Sequence, residues 1–249
     1  MKFFALPMVA MLLLVSGCST TPISRQTASS IPSPVNVVLS PGVTALIPVP
    51  VGLTLVTVDE SPRLTAGLRA LQGDRATLLA GFAEHTFILA VNNGQSSQSS
   101  RFATVVQPND PRLYDVPLNL FQKAITAFKT RDIQLIAQMA TSANEYDAKH
   151  PDVLKQGSIS PSTRVAASGR PVVSIDIPHA YGSVIVGATK TNASTVPMVI
   201  GMTHLLVKGH MIAEGTYMNG NTPSTVDAVK KMAADFAIAT LRANGEPTN

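Results

Sequence analysis

Val196-Pro197-Met198-Val199-Ile200-Gly201-Met202-Thr203-His204-Leu205-Leu206-Val207-Lys208-Gly209-His210-Met211-Ile212-Ala213-Glu214-Gly215-Thr216-Tyr217-Met218 is the stretch from which the fold can be read. Two apolar, β-branched runs flank Lys208-Gly209, a two-residue link of the kind that closes a tight hairpin, although Lys is less usual than Asn or Asp at a left-handed position. Such a link sets the register: Val207 faces His210, Leu206 faces Met211, Leu205 faces Ile212 and His204 faces Ala213. Directly after it comes the clearest helix of the chain. Thr222-Pro223 supplies an N-cap and a first-position proline, and Val226, Val229, Ala233, Phe236, Ala237 and Leu241 form an apolar stripe that stops at Asn244-Gly245.

Upstream, strand-like and helix-like periods alternate. Val35–Leu39 is a short β-branched run ended by Ser40-Pro41-Gly42, and Val43–Val51 carries Pro48 and Pro50, which cannot donate to a ladder and place this piece at an edge. Gly52–Val58 alternates as a strand. Ser61-Pro62 opens a helix with Leu64, Leu68 and Leu71 on one face, stopped by Gly73. Arg75–Phe82 and Phe87–Val91 are apolar enough for buried strands, and Asn92-Asn93-Gly94 is a turn. After a polar loop over Gln95–Ser100, Phe102–Val106 reads as a strand. Leu118, Phe121, Ile125 and Phe128, spaced 3, 4 and 3 apart, read as a helix that continues to about Lys149. Residues 151–170 read as a loop, and Val172–Ile177 and Ser183–Thr189 as two strands joined through Pro178–Gly182. The expected class is α+β, an antiparallel sheet with helices packed on it.

The amino terminus reads as an address. Met1 and Lys2 precede an apolar run from Phe3 to Val15, the order of a secretory signal, and the run is shorter than the ~20 residues a stable bilayer span takes. Ser16 and Gly17 then lead into Cys18, the one cysteine of the chain. Val15-Ser16-Gly17-Cys18 resembles a bacterial lipobox, which implies that residues 1–17 are removed and that Cys18 carries acyl chains, palmitate among them. Each buried methylene contributes about 0.8 kcal/mol, so two or three chains hold a protein on a membrane where one lets it go. By resemblance to the sorting rule of bacteria with two membranes, Ser19 after the cysteine favours the outer membrane, with the protein facing the periplasm. Residues 18–34, the acylated Cys followed by hydroxyl-rich and proline-bearing sequence, read as a flexible tether, and 35–245 as a single α+β domain.

Composition narrows the partners. Cleavage would leave 232 residues with a formal charge of +3, against +4 for the whole chain of 249. Without a run of Lys or Arg, nucleic acid is excluded as the expected partner. Only 14% of residues are charged and Trp is absent, which suits an exported, sheet-containing protein. The expected partners are the membrane, through Cys18, and another envelope protein.

Two blocks together carry a further resemblance: Ile47-Pro48-Val49-Pro50-Val51-Gly52-Leu53 ahead of a short helix and the strand Leu78-Leu79-Ala80-Gly81-Phe82, and the closing hairpin followed by the helix to Ala243-Asn244. They resemble a group of proteobacterial envelope proteins that sits near the Mog1/PsbP-like αβα sandwiches. The resemblance implies a sandwich of helices on an antiparallel sheet and carries no catalytic motif.

The residues offer no catalytic, cofactor-binding or metal site of their own. The five histidines, His85, His150, His179, His204 and His210, make no zinc-binding spacing. On the hairpin register His204 and His210 are three residue pairs apart, about 10 Å at ~3.4 Å per residue, and cannot share a metal. No Gly-x-Ser-x-Gly elbow or phosphate-cradling loop is present, and Asp59-Glu60 and Glu145 with Asp147 read as solvated charge at helix ends. Phe121 and Phe128 read as a buried helix stripe, and Met198, Met202, Met211 and Met218 as core filling. The leading reading is a lipid-anchored, non-enzymatic binding or assembly module. An envelope enzyme would use some of Asp176, His179, Tyr181 and Glu214, with His179 and a carboxylate converging in one cleft within hydrogen-bond reach. A carrier of apolar ligands would need a large cavity between sheet and helices.

Overall fold

The Lys208-Gly209 link forms the expected hairpin, with Lys208 at φ 49° and Gly209 at φ 77°, the left-handed pair of a type I′ turn. In the computed structural model, which describes residues 32–95, 101–130, 168–190 and 195–249, the pairing from this turn is Val207 with His210, Leu206 with Met211, Leu205 with Ile212 and His204 with Ala213. A left-handed Lys is strained by roughly 1–2 kcal/mol. Two long-range contacts hold it there: its backbone N–H donates to Glu246 Oε1 at 2.8 Å and its Nζ donates to the Thr44 carbonyl at 2.7 Å.

This hairpin is the middle of a larger sheet. In chain order the strands are β1 (Val35–Ser40), β2 (Val43–Ile47), β3 (Thr54–Leu55), β4 (Ala76–Ala83), β5 (Arg101–Pro108), β6 (Ser168–Ile177), β7 (Ala180–Lys190), β8 (Thr195–Val207) and β9 (His210–Asn219). Strands β3 to β9 form one seven-stranded antiparallel sheet in the order β3-β4-β5-β9-β8-β7-β6, while β1 and β2 pair only with each other. The class is therefore α+β, an antiparallel sheet with helices packed on it. The chain joins β5 to β9 across more than a hundred residues, a pairing no local pattern announces.

Both faces of the sheet are covered. On the front, helix α4 (Pro223–Ala243) and the β1–β2 hairpin bury Phe82, Val105, Leu205, Ile212, Phe236 and Leu241 in one cluster. Phe82 and Phe236 meet edge to face, their ring centres 5.9 Å apart. Helix α4 lies close because β8 presents Gly201, where a Cβ would stand 2.4 Å from Thr216 Oγ1 and 3.2 Å from a Val229 methyl. On the back, α1 (Pro62–Ala70) and α2 (His85–Asn92) cover a stack of Phe87, Phe102 and Tyr217, and α3 (described over 118–130) lays Phe121 and Ile125 on Tyr181, Leu206 and Met211. The residues from Pro32 to Asn249 form one compact unit.

Several expectations need correction. Phe87–Val91 belongs to α2 and is not a strand: Phe87, Ile88 and Val91 face the core at helical spacing. The Asn92-Asn93-Gly94 turn is that helix's end, with Gly94 at φ 69°, Gly94 N–H on the Val91 carbonyl and Gln95 N–H on the Ala90 carbonyl. Gly52–Val58 contributes only the two-residue strand Thr54–Leu55, followed by one bond from Val56 N–H to the Gly81 carbonyl. Ser61 precedes α1 but does not cap it; its hydroxyl donates to Asn92 Oδ1 at 2.6 Å and ties α1 to α2. The link between β6 and β7 is only Pro178-His179, and β6 begins at Ser168, inside the stretch expected to be a loop. The continuation of α3 toward Lys149, the 95–100 loop beyond Gln95, and residues 1–31 lie outside the described residues.

The sheet's two edges are blunted. Strand β3 is two residues long, and β6 carries Pro171 and two register irregularities beside the exposed Val172 and Val173. Proline and bulges hinder pairing with another chain's strand.

The carboxyl end of α4 is pinned to the front hairpin by one amide. Asn244 Oδ1 accepts the Leu46 N–H at 2.9 Å, and its Nδ2 donates to the carbonyls of Leu46 and Thr240, each at 2.8 Å. Asn244→Ala should cost about 1–3 kcal/mol by leaving part-buried backbone groups of β2 without their partner. A urea denaturation midpoint unchanged from wild type would show that β2 is held by apolar contacts alone.

Candidate functional site

Of the four side chains of the enzyme reading, Asp176 and Tyr181 are ladder partners that share Lys129, while His179 and Glu214 stand elsewhere. Asp176, at the end of β6, receives both hydrogen bonds of its ion pair from Lys129 Nζ on α3, at 2.8 and 2.7 Å. The same ammonium lies 5.2 Å from the centre of the Tyr181 ring, which is buried under α3 on the back of the sheet. Glu214 is on the front, sealed beneath α4. His179 lies in the β6–β7 turn, its Nε2 3.7 Å from Glu246 Oε2, within ion-pair range but beyond a hydrogen bond. The carboxylate that approaches His179 is thus Glu246 of the carboxyl-terminal tail, not Asp176 or Glu214.

Two polar assemblies result. The first is an open cleft of about 360 Å³ between α3 and β6, lined by Gln122, Ile125, Thr126, Lys129, Asp176, Ile177 and Pro178. The Lys129–Asp176 pair in its wall is 41% and 50% exposed, so solvent screens it and it is worth at most about 1 kcal/mol. The second is the turn end of the sheet. There Glu246 takes the Lys208 N–H and approaches His179, whose Nδ1 is buried without a protein partner. Beside it, His210 Nδ1 bonds the Lys208 carbonyl and Nε2 bonds Ser40 Oγ, both at 3.0 Å. A carbonyl only accepts, so Nδ1 carries a proton, and the Ser40 hydroxyl can serve Nε2 as donor or acceptor. Tyr114 stacks on this ring at 5.6 Å. His210 is a satisfied core histidine that ties β9 to β1.

His204 and His210 face opposite sides of the sheet, one on Phe128 and the other on Ser40. The separation is therefore larger in kind than the ladder offset alone. Phe128 covers the His204 ring at 4.5 Å, and burial lowers its pKa to about 4, so it is neutral near pH 7. Among the described residues no group of three or more His, Cys, Asp or Glu is placed to hold a metal. The methionines are divided: Met198 packs under α1 and α2, Met211 under α3 and Met218 under α4. Asp59 and Glu60 are exposed ahead of α1. Cys18, His150, Glu145 and Asp147 lie outside the described residues.

Glu214 is strongly perturbed by its burial in the sheet. Its Oε1 accepts from Thr240 Oγ1 at 2.6 Å, and its Oε2 has no protein partner. Burial pushes its pKa up to about 8 against the opposing pull of that hydrogen bond, so the carboxyl is protonated at neutral pH.

The partners that define these assemblies, Lys129, Glu246, Ser40 and Thr240, were invisible to sequence reasoning. Asp176 and Lys129 are 47 residues apart, and His210 and Ser40 are 170 apart. Only Thr240, in the apolar stripe of α4, carried a hint, as a hydroxyl on a buried helical face. No family model matches the chain, and neither does any curated protein.

The magnitudes separate what anchors α3 from what decorates it. Phe121 is fully buried, and Phe121→Ala should cost about 3–5 kcal/mol. Lys129→Met, which removes the ion pair but keeps the stem, should cost less than about 1 kcal/mol. Thermal unfolding of both variants checks this ordering, and a reversed order would make Lys129 the true anchor of α3.

Proposed function

We propose that the protein is a lipid-anchored envelope module, held on a bacterial membrane by acyl chains on Cys18 and acting in binding or assembly without catalysis. The observation that carries the reading is a lone cysteine placed directly after a short apolar run, in Val15-Ser16-Gly17-Cys18. Ser19 assigns it to the outer membrane, facing the periplasm, where the partner is another envelope protein. The blocks at 47–53 and 78–82 and the closing hairpin and helix make it kin to the proteobacterial envelope proteins near the Mog1/PsbP-like sandwiches. Among the described residues no helix is long and apolar enough to cross a membrane.

The separation of His179 and of Glu214 from the Asp176–Tyr181 pair supports a binding role over the enzyme reading. A single observation favours the second reading, an acid–base site at His179: its Nδ1 is buried and unpartnered beside the Glu246 carboxylate. The cleft between α3 and β6 has charged walls and opens to solvent, which does not suit an apolar-ligand carrier.

Cys18→Ala should lose incorporation of labelled palmitate and move from the membrane to the soluble fraction. Membrane association that survives the substitution would refute the anchor. Capture of one specific envelope protein by the wild type, retained in His179→Ala, supports the binding reading. Turnover of a substrate that His179→Ala abolishes would replace it with the enzyme reading.

A further inference from the structure

A row of polar side chains crosses the front face of the sheet. Ser174 on β6, Thr203 on β8 and Glu214 on β9 lie along it, with Gly182 on β7 between the first two. The point that a Gly182 Cβ would occupy is 2.5 Å from Thr203 Oγ1 and 2.7 Å from Ser174 Oγ. Thr203 and Glu214 are direct ladder partners, which places their Cβ atoms about 5 Å apart. Ser174 Oγ, Thr203 Oγ1 and Glu214 Oε2 are all buried and have no hydrogen-bond partner. Three orphaned oxygens on neighbouring strands, beside a position with no side chain, meet the polar-partner requirement of a buried water.

We propose that this row is an internal hydration site and that the proton on Glu214 is the latch that keeps the carboxyl-terminal half of α4 seated over it. In the latched state Oε2–H donates to bound water, which bridges to Thr203 and Ser174, while Oε1 accepts from Thr240. Loss of the proton to bulk base leaves an anion in an apolar layer with the Thr240 hydroxyl as its one protein donor. The relief is entry of solvent beneath Phe236, Ala237 and Leu241, which frees the Asn244 pins on Leu46.

Among the described residues no charged group faces Glu214 to hold the anion. β5 presents Val105, β8 presents Thr203 and α4 presents Thr240, while Asp227, Lys231, Asp235 and Arg242 are on the exposed side of α4 and Lys230 is half-buried. The shift of Glu214 to about 8 comes from burial, with only the Thr240 hydrogen bond opposing it. With the native pKa above the ordinary value of 4.5, the native state binds more protons than the unfolded chain between those limits. Stability is then full at low pH and falls as pH rises toward 8. His204, with its pKa lowered from 6.5 to about 4, acts in the opposite sense between those values. From pH 6.5 to 8 the His204 contribution changes only about twofold, and it cancels between the wild type and a Glu214 variant.

The test uses the full-length chain. Between pH 6.5 and 8 the folding constant of the wild type should fall about tenfold more than that of Glu214→Gln, from urea titrations at each pH; parallel curves would overturn the latch. Thr203→Val distinguishes a hydrated from a dry site by sign. It should lower the folding constant if water completes the row, and raise it if the hydroxyl is a dry orphan, which would overturn the hydration site. Hydrogen exchange on the wild type decides the latch even where Glu214→Gln fails to fold. Over the same window, and corrected for intrinsic exchange, amides 236–244 should lose protection relative to those of β4 and β5. Equal change in both regions would overturn it.

Discussion

The close approach of α4 to the central hairpin is the constraint on which the rest of the fold depends. Strands β8 and β9 pair without a break from Met198 to Val207, and α4 reaches them because Gly201 leaves room for Val229 and Ala233. Once seated, the helix buries Phe236 against Phe82 of β4 and Leu241 within the same cluster as Ile47 of β2. One helix thus joins the hairpin of the amino-terminal part, the early sheet strands and the late ones. Its end is held by Asn244, whose amide copies the pairing a neighbouring strand would make with Leu46.

The back face is built from smaller pieces with the same logic. Gly81 of β4 admits the Leu68 side chain of α1, since a Cβ there would stand 2.5 Å from Leu68 Cδ1. The Phe87, Phe102 and Tyr217 stack then fixes α2 over β5 and β9, and α3 covers the opposite end. The sheet is therefore closed on both faces, and its edges are blunted by the shortness of β3 and by Pro171 in β6. Among the described residues the chemically varied places are the open cleft beside Lys129 and Asp176 and the largely buried turn end around His179 and Glu246.

The polar row under α4 stands apart from this economy of apolar contacts. An Ala or Val at 214 would pack where a carboxylic acid now lies buried, at a cost in desolvation that one threonine hydroxyl does not offset. A buried polar group of this kind makes the seating of the helix conditional on a protonation state, which a hydrocarbon side chain cannot do.

The sequence by itself determined the elements whose signals are local. The Lys208-Gly209 turn and its register, the stripe of α4 from Thr222 to Asn244, and the Leu64 and Leu68 face of α1 follow from turn chemistry and from periods of 2 and 3.6. It also carries the Val15-Ser16-Gly17-Cys18 pattern on which the proposed anchor rests, and reading that pattern needs no fold. Tertiary structure decided the rest. Phe87–Val91 became a helix because a short apolar run has no period strong enough to choose, and packing against Phe102 made the choice. The neighbours of β5, the partners of Asp176, His179 and His210, and the isolation of Glu214 arise from contacts between residues far apart in the chain. Such contacts are written in the shape of the folded sheet, because the energy that selects them is burial shared by several elements at once.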